Sequence, residues 1–416
     1  MRLKLVAAFL SFALGLAPAP LVPSAAISPA KSENRLKLVV ISIDGLDARY
    51  LREADRLHLK IPTLRKLTKQ GASSIGVIGV LPDDSWATGT TMVTGVRPAR
   101  HGVSGARSPN QIPGVGTLWQ AVTAEHRKTA LLYWPATVGA EADYNCPQFW
   151  EGAQAADLPF DAISQKCTPG LVQRISSVYP IFSKSQWNDS TALLGLRYLL
   201  QFEQPDLSLV HIADLDQEEH ETGALSLYSR EVLENQDEMI GQALSRLPPH
   251  TQVAVVSDHG FETEDFVVRP RVLIGSKTVE VREGLIGART ASDAAALRKL
   301  VGSRKAGIAR EISLEEARRA VPEASRWTAV FATLPNYVAS ESATGKGVGP
   351  GTHKGVHAFW PNRPNFRSVF LLAGDGVRPV QLPEISMLQI APTLADVLGV
   401  KLPAAEAASL WPAIKR

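Results

Sequence analysis

The sequence predicts an α/β fold with a central, mostly parallel sheet sandwiched by helices and carrying inserted cap segments. Three observations predict it. Short runs rich in β-branched residues and nearly free of charge recur at 36–43 (LKLVVISI), 207–212 (LSLVHI), 253–257 (VAVVS) and 368–373 (SVFLLA). Such runs read as strands covered on both faces. Segments with helical punctuation lie between them, the alternation of a parallel sheet. Acidic residues and histidines stand just past the strand ends, where open α/β sheets place their chemistry.

The 416 residues are 45% hydrophobic and 20% charged, a globular composition long enough for a large core. The formal net charge is +3. No basic arm or stripe implies nucleic acid as a structural partner, and the slight positive bias suits an anionic substrate. Residues 1–26 read as an export signal. Met1-Arg2-Leu3-Lys4 is a positive start, Leu5 to Ala17 an apolar run, and Ser24-Ala25-Ala26 a cleavage site. The alternative is an uncleaved anchor, but the run is short for a membrane span. The mature chain is therefore expected to be exported, periplasmic or secreted, without a membrane span. Residues 27–35 read as a linker, and 36–416 as a single domain with insertions near 140–200 and 262–350. In an exported chain, Cys146 and Cys167 are expected to form a disulfide rather than remain two buried thiols.

In chain order, the first strand ends in Asp44-Gly45. A charge at the end of an apolar strand is costly unless paired or metal-bound. The alternative is a helix N-cap, because a helix is expected over Leu46 to Leu57. Pro62 opens a short amphipathic helix with Leu64 and Leu67 on one face and Gly71 as its stop. Residues 82–95 read PDDSWATGTTMVTG, with Gly95 as a helix C-cap. Ser85 then falls near a helix N-terminus, which stabilises an alkoxide and binds phosphate-like anions. The plainer reading makes Ser85 an N-cap. A strand is expected over Thr129 to Tyr133, and 140–200 reads as a segment lying over the sheet.

After Leu207 to Ile212 come Asp214, Asp216 and His220. Asp216 and His220 are four apart, so one helical turn puts them on the same side. The alternative makes Asp216 a cap and His220 a surface residue. Val232, Leu233, Met239, Ile240, Leu244 and Leu247 form a core-facing helical stripe. The strand at 253–257 runs into Asp258-His259, two good ligands for a borderline metal such as zinc. Residues 262–350 are expected to hold a short hairpin, an alanine-rich helix near 297–302, a capping box at Ser313 to Glu316 and a mobile stretch from Gly345 to Gly351. A loop with His353 and His357 precedes the last strand, Ser368 to Ala373, and a last helix near Leu388 to Leu398.

A parallel sheet brings these strand ends to one edge. Three carboxylates and three histidines would gather there, enough for two metals with open positions, beside a serine on a helix N-terminus. Two such metals can clamp an in-line displacement at phosphorus.

With these pieces in order, the chain resembles the alkaline phosphatase superfamily and, within it, the type I phosphodiesterase/nucleotide pyrophosphatase family. The resemblance is carried by ISIDGL at 41–46, IPTLRKLTKQGA at 61–72, PDDSWATGTTMVTGVRPARHGV from 82, YWPA at 133–136, PDLSLVHIADLDQEEHETG at 205–223, VVSDHG at 255–260, and HAFWPNRPNFRSVFLLAGDGV followed by IAPTLADVLG. It implies an alkaline-phosphatase-like catalytic domain that holds two divalent metal ions, zinc above all. One ion would sit on Asp216, His220 and His357, the other on Asp44, Asp258 and His259, with Ser85 as a metal-bridging nucleophile. His353 would be an outer or substrate group. The implied activity is hydrolysis of a phosphodiester or nucleotide pyrophosphate through a phosphoseryl intermediate. The alternatives are a phosphomonoesterase of alkaline-phosphatase type and, from a different class, a metal-stabilised binding protein without turnover. Two departures bear on the substrate. The family commonly has Thr followed by aromatic-Pro-Asn-His, where this chain has Ser85-Trp86-Ala87-Thr88-Gly89. Diesterases usually place an Asn soon after the His-Gly pair, where this chain has Val103-Ser104-Gly105-Ala106-Arg107. Arg107 is the candidate to replace that phosphate contact.

Overall fold

The computed structural model describes residues 35–105, 110–149, 160–184, 187–363 and 366–416. The candidate export signal, all of the candidate linker except Arg35, and Arg107 lie outside them. Leu36–Arg416 cluster as one compact unit.

Nine strands among the described residues form the main sheet: β1 (Lys37–Ile43), β2 (Ala72–Ile78), β3 (Thr129–Leu132), β4 (Tyr144–Cys146), β5 (Leu207–Ile212), β6 (Thr251–Val256), β7 (Ser368–Ala373), β8 (Val380–Gln381) and β9 (Ile385–Ser386). The order is β8-β2-β7-β6-β1-β5-β3-β4, with β9 also pairing β2. β1 lies between β5 and β6, parallel to both, with Ile41 opposite Val210 and Val255. β3 continues the parallel run to β4. β7 alone runs against its neighbours β6 and β2.

Apart from Lys37 at the start of β1, the strands are free of charge because both faces are covered. Along β1, Val39, Ile41 and Ile43 pack with Tyr50, Leu64, Leu233 and Ile240 on one face. Leu38 and Val40 pack with Met92, Val93, Trp119 and Leu394 on the other. This is the period-two alternation of a strand between two helical layers.

Several local expectations shift. The helix after β1 is Ala48–Arg52, and its N-cap is Asp47, whose side chain accepts from the Arg49 amide. Asp44 is therefore not a cap. Segment 140–200 is not wholly a layer over the sheet, since Tyr144–Cys146 pairs with β3 as an edge strand. Cys146 and Cys167 are disulfide-bonded. The alanine-rich helix is Ala291–Arg298, earlier than its expected position, because the Thr290 hydroxyl caps it. Ser313 accepts from the Glu316 amide, half of the expected box. Val348–Pro350 is not a loose glycine stretch but a strand paired with Phe266–Val268.

Between β6 and β7 lie a four-stranded antiparallel sheet over Val279–Thr333 and a three-stranded sheet around Phe266–Val268. The four-stranded sheet has apolar clusters on its faces, around Trp327 and around Phe331. Glu262–Thr263 and Gly355–Val356 pair antiparallel where this segment leaves and returns to the main sheet.

Candidate active site

The topology fixes what meets at the sheet edge. β1, β5 and β6 are parallel, so the residues that follow them (Asp44, the helix Asp214–Thr222, and Asp258-His259) share one edge. β2 runs the same way and delivers the loop to Asp83, Asp84 and Ser85 there. β7 is antiparallel, so its N-terminal approach, the loop with His357, arrives at the same edge.

Ser85 is the first residue of the helix Ser85–Thr94 and does not cap it; Asp84 does, accepting from the Ala87 amide. This frees the Ser85 hydroxyl, which donates to Asp44 Oδ2 at 2.7 Å. Gly45 must be glycine, since its φ is +72° and a Cβ would stand 3.0 Å from Glu219 Oε2 and 3.3 Å from Asp216 Cα. Asp258 Oδ1 accepts from the Gly45 amide, tying the first and third ligand loops together.

His259 stands at the centre. Its Nε2 lies 3.3 Å from Asp44 Oδ1, 3.6 Å from Asp258 Oδ2 and 3.8 Å from Asp216 Oδ1. These four ligand atoms are buried and make no hydrogen bond. His259 Nδ1 faces the Gly260 carbonyl at 3.2 Å, an atom that can only accept. His220 Nδ1 faces the Gly355 carbonyl at 3.1 Å, and His357 Nδ1 faces Asp83 Oδ1 at 3.3 Å. Each imidazole thus spends Nδ1–H on an acceptor outside the cluster and keeps Nε2 for a ligand, the arrangement that orients metal-binding histidines.

The electrostatics agree. Burial, reinforced by the charge on Asp44, pushes Asp216 up to about 7 and Asp258 well above the usual carboxylate range. Burial also works against Asp44, but His211 and His259 outweigh it and hold that carboxyl well below its usual range. Partial burial at the rim, with His357 adding to the effect, lowers the His220 imidazole to about 4. Two buried carboxylates and the half-buried Asp216 around an imidazole are a donor set that fits a divalent cation.

Two groups of ligand atoms lie within 4.8 Å of one another: Asp44, Asp258 and His259, and Asp216, His259 and His357. The first matches the expected set. The second has His259 where His220 was expected. His220 stands at the rim, its side chain 42% exposed and its Nε2 3.6 Å from Asp216 Oδ2. His353 is exposed and pairs with Asp265 at 3.3 Å. The residues just after the His-Gly pair, Val103 to Arg107, include no asparagine. The Gly105 amide donates to Asp84 Oδ1 at 2.7 Å instead.

Three functional neighbours escaped the sequence reading. Asp83 is buried, facing His357 and accepting from the Ala358 amide at 2.7 Å. Its place beside Ser85 in the PDDS stretch was the available signal. Asp189 accepts from the Ala213 and Asp214 amides and from Gln236, fixing the start of the helix that bears Asp216. His211 lies 3.2 Å from Asp44 Oδ2. A histidine inside LSLVHI, otherwise free of charge, was its only mark.

Comparison with known proteins bears on the fold and the family. Venom phosphodiesterase 2 of Crotalus adamanteus is 24% identical over 250 residues, 54% of this chain and 27% of the relative. Venom phosphodiesterase of Macrovipera lebetinus is 24% identical over 263 residues, 58% of this chain and 27% of the relative. The chain thus spans about a quarter of the length of these curated relatives. Among solved structures, an inactive variant of murine ectonucleotide pyrophosphatase / phosphodiesterase 5 in complex with AMP superposes with a TM-score of 0.60 at 13% identity, covering 91% of this chain and 100% of the other. The human protein gives the same values. These likenesses show the shared α/β fold. The sequence model of the family described as type I phosphodiesterase / nucleotide pyrophosphatase matches residues 38–331, which hold every candidate ligand except His357, and the chain belongs to that family.

Proposed function

We propose that this protein is an exported, metal-dependent hydrolase of phosphoric esters, of phosphodiesterase/nucleotide pyrophosphatase type, acting through a phosphoseryl intermediate on Ser85. The observation that carries this reading is the Ser85 hydroxyl on a helix N-terminus, 2.7 Å from a carboxylate that belongs to the ligand cluster. Asp216, His220 and His357 would hold one divalent ion and Asp44, Asp258 and His259 the other, zinc by the nitrogen and oxygen donors on offer. When bound, the pair supplies Lewis-acid charge and lowers the pKa of coordinated oxygens.

The chain's own residues do the rest. Asp44 Oδ2 holds the Ser85 hydroxyl toward the cluster. The amides at the start of Ser85–Thr94 face the incoming phosphoryl oxygens. Ser85 Oγ attacks phosphorus, the ester P–O bond breaks and the alcohol leaves. Water then attacks the phosphoserine, the P–Oγ bond breaks, and Ser85 is restored. Arg107 would bind a non-bridging oxygen. Nucleotides are the proposed substrates, with the AMP complex of the murine structure as support.

A second reading, phosphomonoesterase, is favoured by the sequence Val103 to Arg107, which has no asparagine where the family's diesterases usually place one. The test compares a bis-aryl phosphate with the matching aryl monoester on zinc-loaded protein, alongside Ser85→Ala. The diester should be cleaved faster, and Ser85→Ala should lose at least about a thousandfold in kcat while keeping its zinc. A faster monoester reassigns the chain to the second reading. Turnover of neither refutes both.

A further inference from the structure

His211 is a buried titratable side chain against the carboxylate that holds the nucleophile, and the mechanism above leaves it without a task. It lies near the end of β5, opposite Ser42 of β1. Leu207 and Leu209, on the same side of β5, pack in the cluster that contains Met92 and Val93 of the Ser85 helix. His211 therefore points beneath that helix and not out to solvent, and it is 1% exposed. The Trp134 ring meets it edge-on, with centroids 6.3 Å apart.

What it meets is Asp44. His211 Nε2 lies 3.2 Å from Asp44 Oδ2, the oxygen that accepts from Ser85. His259 stands on the other carboxylate oxygen, Oδ1, at 3.3 Å. Asp44 is therefore bracketed by two imidazoles, one on the ligand side and one on the serine side. Both His211 nitrogens fall outside hydrogen-bond geometry, so the 3.2 Å contact is close but poorly directed, as interactions that tighten during reaction often are in resting structures.

We propose that His211 is a positioning residue, donating Nε2–H to Asp44 Oδ2 so that Asp44 presents Oδ1 to the ligand cluster while Oδ2 holds Ser85. The inference rests on Ser85 and Asp44 having the roles assigned above. Its physical reason is charge. Once the Ser85 hydroxyl has passed its proton to solvent water, Oδ2 faces a negative oxygen at 2.7 Å with no hydrogen between them. A second donor on Oδ2 keeps the carboxylate from swinging away and spoiling both the ligand and the serine contact. The imidazole is sealed beneath the helix and does not touch substrate, so it acts only through Asp44.

The test compares His211→Leu with His211→Gln. The glutamine amide nitrogen reaches about as far from the backbone as imidazole Nε2 and can donate; leucine fills similar space and cannot. Zinc affinity is measured by competition with a chromophoric chelator, and kcat and KM on the aryl diester at saturating zinc. His211→Leu should weaken one of the two ions about tenfold, within the range for lost outer partners. It should lower kcat about tenfold or more with KM nearly unchanged. His211→Gln should recover most of both. A leucine variant within about twofold of wild type in affinity and kcat overturns the proposal. So does a glutamine variant as impaired as leucine, since the effect is then packing. If the wild type cleaves no ester, the functional reading fails, while the zinc measurements still decide the role of His211.

Discussion

Asp83 shows how much of this site depends on residues that would touch neither metal nor substrate. It is buried between the nucleophile helix and the His357 loop, with Oδ1 toward the imidazole and Oδ2 on the Ala358 amide. Asp83→Asn should keep the Ala358 contact through its carbonyl oxygen and turn an NH2 toward His357 Nδ1. The imidazole must then carry its proton on Nε2 and lose the lone pair a metal needs. We expect zinc to bind about 10–100-fold more weakly, with little change in the melting temperature of the metal-free protein, measured by chelator competition and calorimetry. Unchanged affinity would mean that Asp83 only fastens the loop. At this scale the sequence was legible where a residue stands at a strand end. Asp44, Asp258 and His259 announce themselves because a charge there needs a partner. Asp83, Asp189 and His211 do not, because a loop aspartate, a helix-start aspartate and a strand histidine all have ordinary uses.

Among elements, the helix Pro62–Gln70 has an N-terminus that its own sequence leaves uncapped. Its N-cap residue is Ile61, which has no side-chain acceptor. Asp237, buried on the helix Leu227–Leu244, accepts from the Thr63 and Leu64 amides at 2.9 and 2.7 Å. A carboxylate supplied from another helix thus caps this one and locks the two together. Asp237→Ala should cost about 2 kcal/mol, read as a lower urea midpoint at unchanged slope. A loss below about 0.5 kcal/mol would show that solvent replaces the cap. Strands were legible as elements for a related reason: β1, β5, β6 and β7 are buried throughout or nearly so, which leaves an uninterrupted apolar signature. The three-residue strands Phe266–Val268 and Tyr337–Ala339 are half-exposed and too short to show a period. Their existence depends on partners far away in the chain.

For the whole molecule, the metal cluster is a stability problem as well as a chemical one. Burial and Asp44 raise Asp216 to about 7, and burial and Asp44 raise Asp258 as well. His259 is raised despite burial, by Asp258 and Asp44. Groups raised on folding stabilise below their unfolded pKa values, and that contribution is lost as pH rises through the folded ones. A bound cation displaces those protons and takes over their task. The melting temperature gained on adding zinc should therefore widen from about pH 5 to about pH 7.5, by several degrees. A gain that is flat or shrinks over that range would argue against these carboxylates as the ligands. The sheet order itself was only partly legible, because period-two patterns show that strands exist and not which neighbour each one takes.

The ribbon of Glu262–Thr263 on Gly355–Val356 has a consequence for how such a protein can change over time. It closes the base of the long excursion between β6 and β7, with His259 just before the point of departure and His357 just after the point of return. Everything beyond the ribbon can be lengthened, shortened or exchanged while the two histidines keep their spacing. The fold thus carries a splice point at the edge of its chemistry, and new recognition surfaces can be tried there without rebuilding the reaction centre.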